Sequence, residues 1–290
     1  MKPAPFDYHR PGSVTEAVEI LAATGGKVLA GGQSLVPILS MRLAAPVALI
    51  DINWLPGLAD IEVDDAKVRI GALVRHRQLE LHEAAYDANP LLRRALSQVA
   101  HPTIRNRGTT VGSLVHADPA AEMPAVLTLL EGSVDVVGRS AGERTIAAAD
   151  FFVGPLESAL QADDVAVAAT FPSPPPGSGS SWVELARRHG DYAMVGVGAL
   201  VSLADGVVTS ARVSLISVGL TPVVVDVTRT CAGSPYDRVD WHDAQDAITA
   251  AIEPDGDIHA SAEYRAQLAR VLSARALSQA LDDAAVEVAA

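Results

Sequence analysis

Two stretches rich in small residues have the composition of a phosphate-binding site. Residues 28–35 read Val-Leu-Ala-Gly-Gly-Gln-Ser-Leu, and residues 105–119 open with two arginines, become rich in Gly, Thr and Ser, and end in Asp118-Pro119. Small residues let a backbone approach a ligand, and free N–H groups and hydroxyls can hold phosphate oxygens. Residues 28–35 match neither the dinucleotide-fold nor the P-loop glycine spacing, so taken alone they favour a tight strand-to-helix turn. The two stretches together predict one extended nucleotide gripped from two sides.

Three polar side chains near these stretches are further candidates. Asp118 is predicted to cap a helix that has Pro119 at its first position and runs to about Leu130. Glu122 would lie one turn inside, where a carboxylate could accept hydrogen bonds from ribose hydroxyls or simply complement the helix dipole. Tyr192 could stack on an aromatic ring, although a half-buried tyrosine in a polar turn is the simpler explanation.

The composition excludes several other classes of site. The chain has 290 residues, a net charge of −13 and one cysteine, Cys231. The charge argues against nucleic-acid or anionic-membrane surfaces, and one cysteine excludes an intramolecular disulfide and an all-cysteine cluster within this chain. His76, His101 and His116 are too dispersed for a metal site. No apolar run spans a bilayer and no signal-peptide pattern is present, which favours the cytosol.

The periodicity and punctuation of the chain predict mixed helices and strands. A capping box at Ser13 should start a helix that runs to about Ala23. Strands are predicted at 27–30 (buried), 48–52, 61–63, 68–70, 133–137, 144–146, 165–171 and 181–187, with a hairpin of 193–203 and 207–218. Helices are predicted at 35–43, near His76, after Pro90, at 244–252 and at 262–280. The Pro-rich segment 172–180 predicts a domain boundary, and the acidic tail after Asp282 is expected to fray.

Several of these segments together resemble a known family. They are residues 30–35, 49–53, 105–109, 116–122 and 187–192, with Tyr264-Arg265, Leu268, Val271 and Leu272 near the C-terminus. In combination they resemble the FAD-binding medium subunit of molybdenum hydroxylases, the family that includes the carbon monoxide dehydrogenase medium subunit. The resemblance covers nearly the whole chain, and the two Gly-rich stretches are its most specific part.

The resemblance implies an α+β fold and a set of FAD contacts. The fold would be a two-lobed vanillyl-alcohol-oxidase (PCMH)-type FAD-binding domain, with lobes at 1–55 and 56–175, followed by a C-terminal α+β domain of the CO dehydrogenase flavoprotein type at 176–290. The residues that it places at FAD are Val28, Leu29, Ala30, Gly31, Gly32, Gln33, Ser34, Leu35, Thr109, Thr110, Val111, Gly112, Ser113, Asp118, Glu122 and Tyr192. Val111 departs from the family, which usually has Gly there.

The resemblance also implies a role in electron transfer. A large partner subunit would hold the molybdenum cofactor, and a small one two [2Fe–2S] clusters, in a dimer of heterotrimers. FAD in this chain would pass electrons from the nearer cluster to an external acceptor, so no catalytic acid or base is nominated. The substrate would be chosen in the large subunit. Two alternatives stay open: a stand-alone FAD-dependent reductase or oxidase of the same fold, and a nucleotide-binding scaffold without catalysis. The location would be cytoplasmic, with attachment to the inner membrane face left open.

Overall fold

A computed structural model describes residues 1–289, which form four β-sheets and their covering helices. The strands are β1 (Asp7–His9), β2 (Lys27–Leu29), β3 (Ala48–Asp51), β4 (Ile61–Val63), β5 (Lys67–Gly71), β6 (Ser133–Gly138), β7 (Gly142–Ala147), β8 (Phe152–Gly154), β9 (Glu157–Ser158), β10 (Asp164–Pro172), β11 (Ser178–Leu185), β12 (Val195–Ala204), β13 (Val207–Ile216) and β14 (Val223–Asp226). The helices are α1 (Val14–Thr24), α2 (Leu35–Ser40), α3 (His76–Glu80), α4 (Glu83–Ala88), α5 (Pro90–Leu96), α6 (Pro102–Arg105), α7 (Thr110–His116), α8 (Glu122–Leu129), α9 (Ala148–Phe151), α10 (Thr228–Cys231), α11 (His242–Ala251) and α12 (Ala262–Ala289). A 3₁₀ turn covers Tyr236–Arg238.

The first sheet is parallel, in the order β1-β3-β2, and carries the first Gly-rich stretch at the end of β2. Helix α1 starts as predicted, since the Ser13 hydroxyl accepts a hydrogen bond from the Glu16 N–H at 3.1 Å. Strand β3 is buried throughout because it is the central strand. Strand β2 is at an edge and is partly exposed, so the prediction of a buried strand there is wrong.

The second sheet is antiparallel, in the order β4-β5-β10-β6-β7, and confirms the strands predicted between residues 61 and 171. It shares one hydrophobic core with the first sheet and with α5 and α8. Fully buried residues of α5 and α8, such as Leu92 and Leu127, are part of this core. The side of α8 that carries Glu122 is therefore fixed by packing on a rigid core.

The third sheet is antiparallel, in the order β11-β12-β13-β14, and is packed against α12. The hairpin across Asp205-Gly206 is confirmed by the pairing of β12 with β13. The prediction that the tail frays after Asp282 is wrong, because α12 continues to Ala289. Asp283 accepts hydrogen bonds from the Arg94 guanidinium at 2.6 Å and from the Ser180 N–H at 2.9 Å, which ties the end of α12 to α5 and β11.

The segment 105–119 differs most from its prediction. Thr110–His116 forms helix α7 rather than a loop, because the Thr109 hydroxyl caps it by accepting from the Gly112 N–H at 3.1 Å. Ala117, with φ of 51°, ends this helix. Asp118 then forms a turn by accepting from the Ala120 N–H at 2.9 Å, so the prediction that it caps the next helix is wrong. Helix α8 begins at Glu122 instead, with Ala121 as its N-cap.

Candidate functional site: a cavity between two backbone arms

A cavity of about 630 Å³ lies where the two Gly-rich stretches meet. Every site candidate from the sequence lines it except Leu29 and Thr110. Leu29 ends β2, where its carbonyl accepts from the Ile52 N–H at 3.1 Å. Thr110 is fully buried with its hydroxyl 3.1 Å from His76 Nδ1. The structure therefore brings most of the predicted residues together around one space.

The first arm of the cavity, residues 30–35, presents unused backbone donors. Within residues 1–289, the N–H groups of residues 31–34 donate no hydrogen bond. The Ser34 hydroxyl does not cap α2. Successive free N–H groups at the start of a helix form a concave site for an anion. This arm can therefore bind phosphate oxygens without any cationic side chain.

The second arm, residues 107–113, adds donors from the other side. In the described part of the chain, the N–H groups of Thr109 and Val111 donate no hydrogen bond. Val111 is 2% exposed and lies in the first turn of α7, where its φ is negative. A β-branched residue is tolerated there, so the departure from glycine does not require a strained backbone.

The two arms touch through their backbones. A Cβ built on Gly31 would lie 2.5 Å from the Arg107 carbonyl oxygen and 2.9 Å from the Thr109 nitrogen. No larger residue fits at position 31 unless the arms separate. Glycine at this position therefore holds the two sets of donors at contact distance around one ligand.

Glu122 brings a carboxyl group to the cavity wall. Its pKa is raised to about 8, mainly by burial and then by the nearby carboxylates of Glu184 and Asp118, against a backbone hydrogen bond and Arg105, which lower it. At neutral pH the group therefore carries a proton in most molecules and can donate a hydrogen bond to a ligand hydroxyl. Tyr192 also lines the cavity and is 71% exposed, so its ring is available for contact with a ligand.

The two arginines of the second stretch do not bind at the cavity. Neither Arg105 nor Arg107 lines it. Arg105 is 5% exposed and forms a buried ion pair with Glu80, with Nε 2.9 Å from Oε2. Its Nη1 donates to the carbonyls of Val99 and Ala100 at 2.9 and 3.0 Å. Its charge therefore supports the fold behind the second arm.

Several cavity residues were not predicted from the sequence. His76 lies in the wall, and burial lowers its pKa to about 4, with Arg105 adding to the effect, so its imidazole is neutral. Leu156 and Leu160 add apolar surface from the β8–β9 hairpin region. These residues are far apart in sequence, and no local motif marks them. No cluster of metal-ligating side chains occurs among the described residues.

The arrangement suits a dinucleotide with an aromatic ring system. The free N–H groups of both arms match the diphosphate, a protonated carboxyl group faces the space, and the remaining walls are largely apolar. FAD contains a diphosphate, hydroxyl groups and aromatic rings, which match these three features of the cavity in turn. The donor set therefore fits FAD.

Comparison with known proteins decides the family. The model of the FAD-binding domain in molybdopterin dehydrogenase matches residues 4–174, and that of the CO dehydrogenase flavoprotein C-terminal domain matches residues 180–280. The chain belongs to the medium-subunit family of the molybdenum hydroxylases. The α+β fold and FAD as the cofactor, both implied by the resemblance, are confirmed.

The relatives match along nearly their whole length. The chain is 39% identical to the alpha subunit of the 6-hydroxypseudooxynicotine dehydrogenase complex of Paenarthrobacter nicotinovorans, over 97% of this chain and 96% of the relative. It is 36% identical to the caffeine dehydrogenase beta subunit of Pseudomonas sp. strain CBB1, over 97% of each. The reconstituted CO dehydrogenase from Oligotropha carboxidovorans superposes with a TM-score of 0.92 at 31% identity, covering 98% of this chain and 100% of that one. These relatives support the subunit function and not the stand-alone enzyme or the scaffold.

The described residues contain no helix that is both long enough and apolar enough to cross a membrane.

Proposed function

We propose that this chain is the flavoprotein subunit of a heteromeric molybdenum hydroxylase and binds FAD in the cavity between the two arms. The observation that carries the proposal is the convergence of free N–H groups from residues 31–34, Thr109 and Val111 on one cavity. The family membership supplies the context. When bound, FAD supplies one- and two-electron redox chemistry, and the protein supplies position and electrostatics.

Each part of the chain has a defined task toward FAD. The first arm and the start of α7 would donate hydrogen bonds to the diphosphate oxygens. The protonated Glu122 carboxyl group would donate to a ribose hydroxyl, and the exposed Tyr192 ring would be available to the isoalloxazine. Gly31 holds the arms together around the diphosphate, since any side chain there would force them apart. Water is excluded on the remaining sides by apolar residues such as Leu160.

The partners would be a molybdenum-cofactor large subunit and a small subunit with two [2Fe–2S] clusters, assembled as a dimer of heterotrimers. Electrons would leave through FAD to an external acceptor. The relatives are named for 6-hydroxypseudooxynicotine, caffeine and carbon monoxide dehydrogenases, so substrate choice belongs to the large subunit. The division into 1–55, 56–175 and 176–290 and the cytoplasmic location, with or without attachment to the inner membrane face, stay predictions.

An absorption spectrum of the purified chain, before and after heat release of any chromophore, tests the proposal. We expect a flavin spectrum and release of FAD at about one per chain. A colourless chain that stays colourless when FAD is added would refute it.

The variant Gly31→Ala tests where FAD binds. Its Cβ would overlap the backbone of the second arm, so we expect FAD affinity to fall by at least about tenfold. Gly12→Ala is the matched control, because its Cβ would meet its nearest atom at an ordinary 3.5 Å. Equal FAD affinity in the two variants would place the cofactor elsewhere.

A further inference from the structure

The contact between the two arms lacks direct backbone hydrogen bonds. In residues 1–289, no backbone hydrogen bond joins residues 30–32 to residues 107–109, although Gly31 lies against that segment. Backbone segments that touch without hydrogen bonds need another constraint to keep a fixed spacing. Side chains behind the arms supply it.

Asn53 holds the first arm from behind. Its side-chain amide donates to the Ala30 carbonyl at 2.9 Å and to Asp51 Oδ1 at 2.6 Å. Its amide oxygen accepts from Arg75 Nη2 at 2.6 Å. One side chain thus connects the carbonyl just before Gly31 to a guanidinium on another element.

Arg75 completes the connection to the second arm. Its Nη1 donates to the Arg107 carbonyl at 2.7 Å, the same oxygen that lies against Gly31. The main chain on either side of Arg75 is already paired with that arm. The His76 N–H donates to the Gly108 carbonyl at 2.9 Å, and the Val74 carbonyl accepts from the Thr110 N–H at 3.2 Å. The Arg75 guanidinium therefore connects the second arm to Asn53, and Asn53 is bonded to the first arm.

Asp51 fixes the orientation of Asn53. It is 7% exposed at the end of β3 and accepts from the Asn53 N–H at 2.9 Å and from the Tyr8 hydroxyl. Burial raises the pKa of Asp51, but the hydrogen bonds from Tyr8 and Asn53 outweigh it and leave the pKa below its usual range. The carboxylate therefore stays ionised and anchors the chain of hydrogen bonds.

We propose that Asn53 and Arg75 are positioning residues that clamp the two arms at the spacing that FAD binding requires. Neither residue lines the cavity, so they act through the Ala30 and Arg107 carbonyls rather than by touching the ligand. The inference rests on the proposed FAD function. It identifies a determinant of affinity that lies outside the Gly-rich stretches.

A double-mutant cycle on the full-length chain tests the clamp. FAD is added to each FAD-free chain, and the unbound FAD is determined by ultrafiltration to give the affinity. The chains compared are the wild type, Asn53→Ala, Arg75→Met and the double variant. Because both single variants break the same chain of hydrogen bonds, we expect each to weaken FAD binding roughly ten- to a hundredfold. The double variant should be no more than about threefold weaker than either single one.

Two further variants separate positioning from charge and from folding. Arg75→Lys keeps the positive charge but loses the planar two-pronged donor, so we expect its FAD affinity and the shape of its bound-flavin absorption band to resemble those of Arg75→Met. Arg77→Met is the matched control, since Arg77 pairs with Glu80 and, among the described residues, its side chain donates no hydrogen bond to either arm. A urea titration of each FAD-free variant shows whether it folds. If Arg75→Met does not fold, the FAD affinity of the milder variant Arg75→Lys is the one compared with the wild type.

The outcomes distinguish the clamp from the proposed function. If the wild type binds no FAD, the proposed function fails. If the wild type binds FAD and the Asn53 and Arg75 variants bind it as tightly as Arg77→Met does, the clamp is wrong. Full recovery of affinity in Arg75→Lys, or additive losses in the double variant, would also overturn it.

Discussion

Two glutamates beside the cavity are both largely enclosed and have opposite surroundings. Glu80, 7% exposed, faces two guanidinium groups, those of Arg105 at 2.9 Å and Arg77 at 3.0 Å. Glu122 faces the carboxylates of Glu184 and Asp118 and forms no ion pair within the described residues. The charge of Glu80 is balanced by two guanidinium groups. The carboxyl group of Glu122 has no such partner and remains available to a ligand in the cavity.

The difference separates a structural carboxylate from a binding one. A buried charge with a complete set of partners stabilises one arrangement of the chain and has nothing left for a ligand. A carboxyl group that is buried among like charges retains its proton, and its remaining hydrogen-bonding capacity faces the cavity. The same substitution, Glu to Gln, should therefore have opposite effects on stability at the two positions.

The largest expected effect is at Glu80. Glu80→Gln keeps the shape but leaves the buried Arg105 guanidinium without a counter-charge, so we expect a loss of roughly 3 kcal/mol in the free energy of unfolding by urea titration. Glu83→Gln is the matched control, because it breaks the Arg93–Glu83 pair in which the Glu83 side chain is 75% exposed. That change should cost less than about 1 kcal/mol. Equal costs would mean that burial does not distinguish the two pairs.

The next effect is at Glu122 and has the opposite sign. Its pKa is raised from 4.5 to about 8 on folding, so the folded state holds the proton more tightly than the unfolded state. Its contribution to stability is complete below pH 4.5 and is lost as pH rises through 8. Glu122→Gln is always neutral and avoids that loss. We expect it to be more stable than the wild type at pH 8 by roughly 3 kcal/mol, and at pH 5 by less than about 1 kcal/mol.

The measurement for Glu122 is urea unfolding of the FAD-free chain at the two pH values. The contrast drawn between Glu80 and Glu122 would be wrong if Glu122→Gln were destabilising at pH 8, because the Glu122 carboxylate would then have a stabilising partner in the folded chain. A constant difference at both pH values would show that the carboxyl group does not titrate in this range.

The sequence predicts local features of this site well and long-range ones poorly. The first arm could be recognised because its strand, Gly-rich turn and helix are consecutive. The helical start of the second arm was missed, since its Gly, Thr and Ser residues are typical of a loop, whereas in the structure the Thr109 hydroxyl caps α7. The predicted cap at Asp118 was wrong because Asp118 forms a turn before α8, which begins only at Glu122.

Pairs of residues that are distant in sequence were not predictable at all. The sequence shows Arg105 only as part of a small basic patch at the start of the second Gly-rich stretch, because its partner Glu80 is 25 residues away and is brought to it by the packing of α3 against α6. The effect of the Glu184 charge on Glu122 likewise joins two residues that are distant in sequence, one on β11 and one on α8. Composition reveals the number of charges in a chain but not which of them meet.

The smallest expected effect tests that last contact. The charge on Glu184 is the second largest cause of the raised pKa of Glu122, after burial. Glu184→Gln removes the charge and keeps an amide oxygen for the Trp182 Nε1–H, which donates to Glu184 at 2.9 Å. The pH at which stability is lost should therefore fall, with a change in the free energy of unfolding of no more than about 1 kcal/mol. Glu143→Gln, an exposed residue on β7, is the control and should leave the profile unchanged. If Glu184→Gln also leaves it unchanged, the Glu184 charge does not set the protonation of Glu122, and the contrast with Glu80 rests on burial without an ion pair rather than on this second carboxylate.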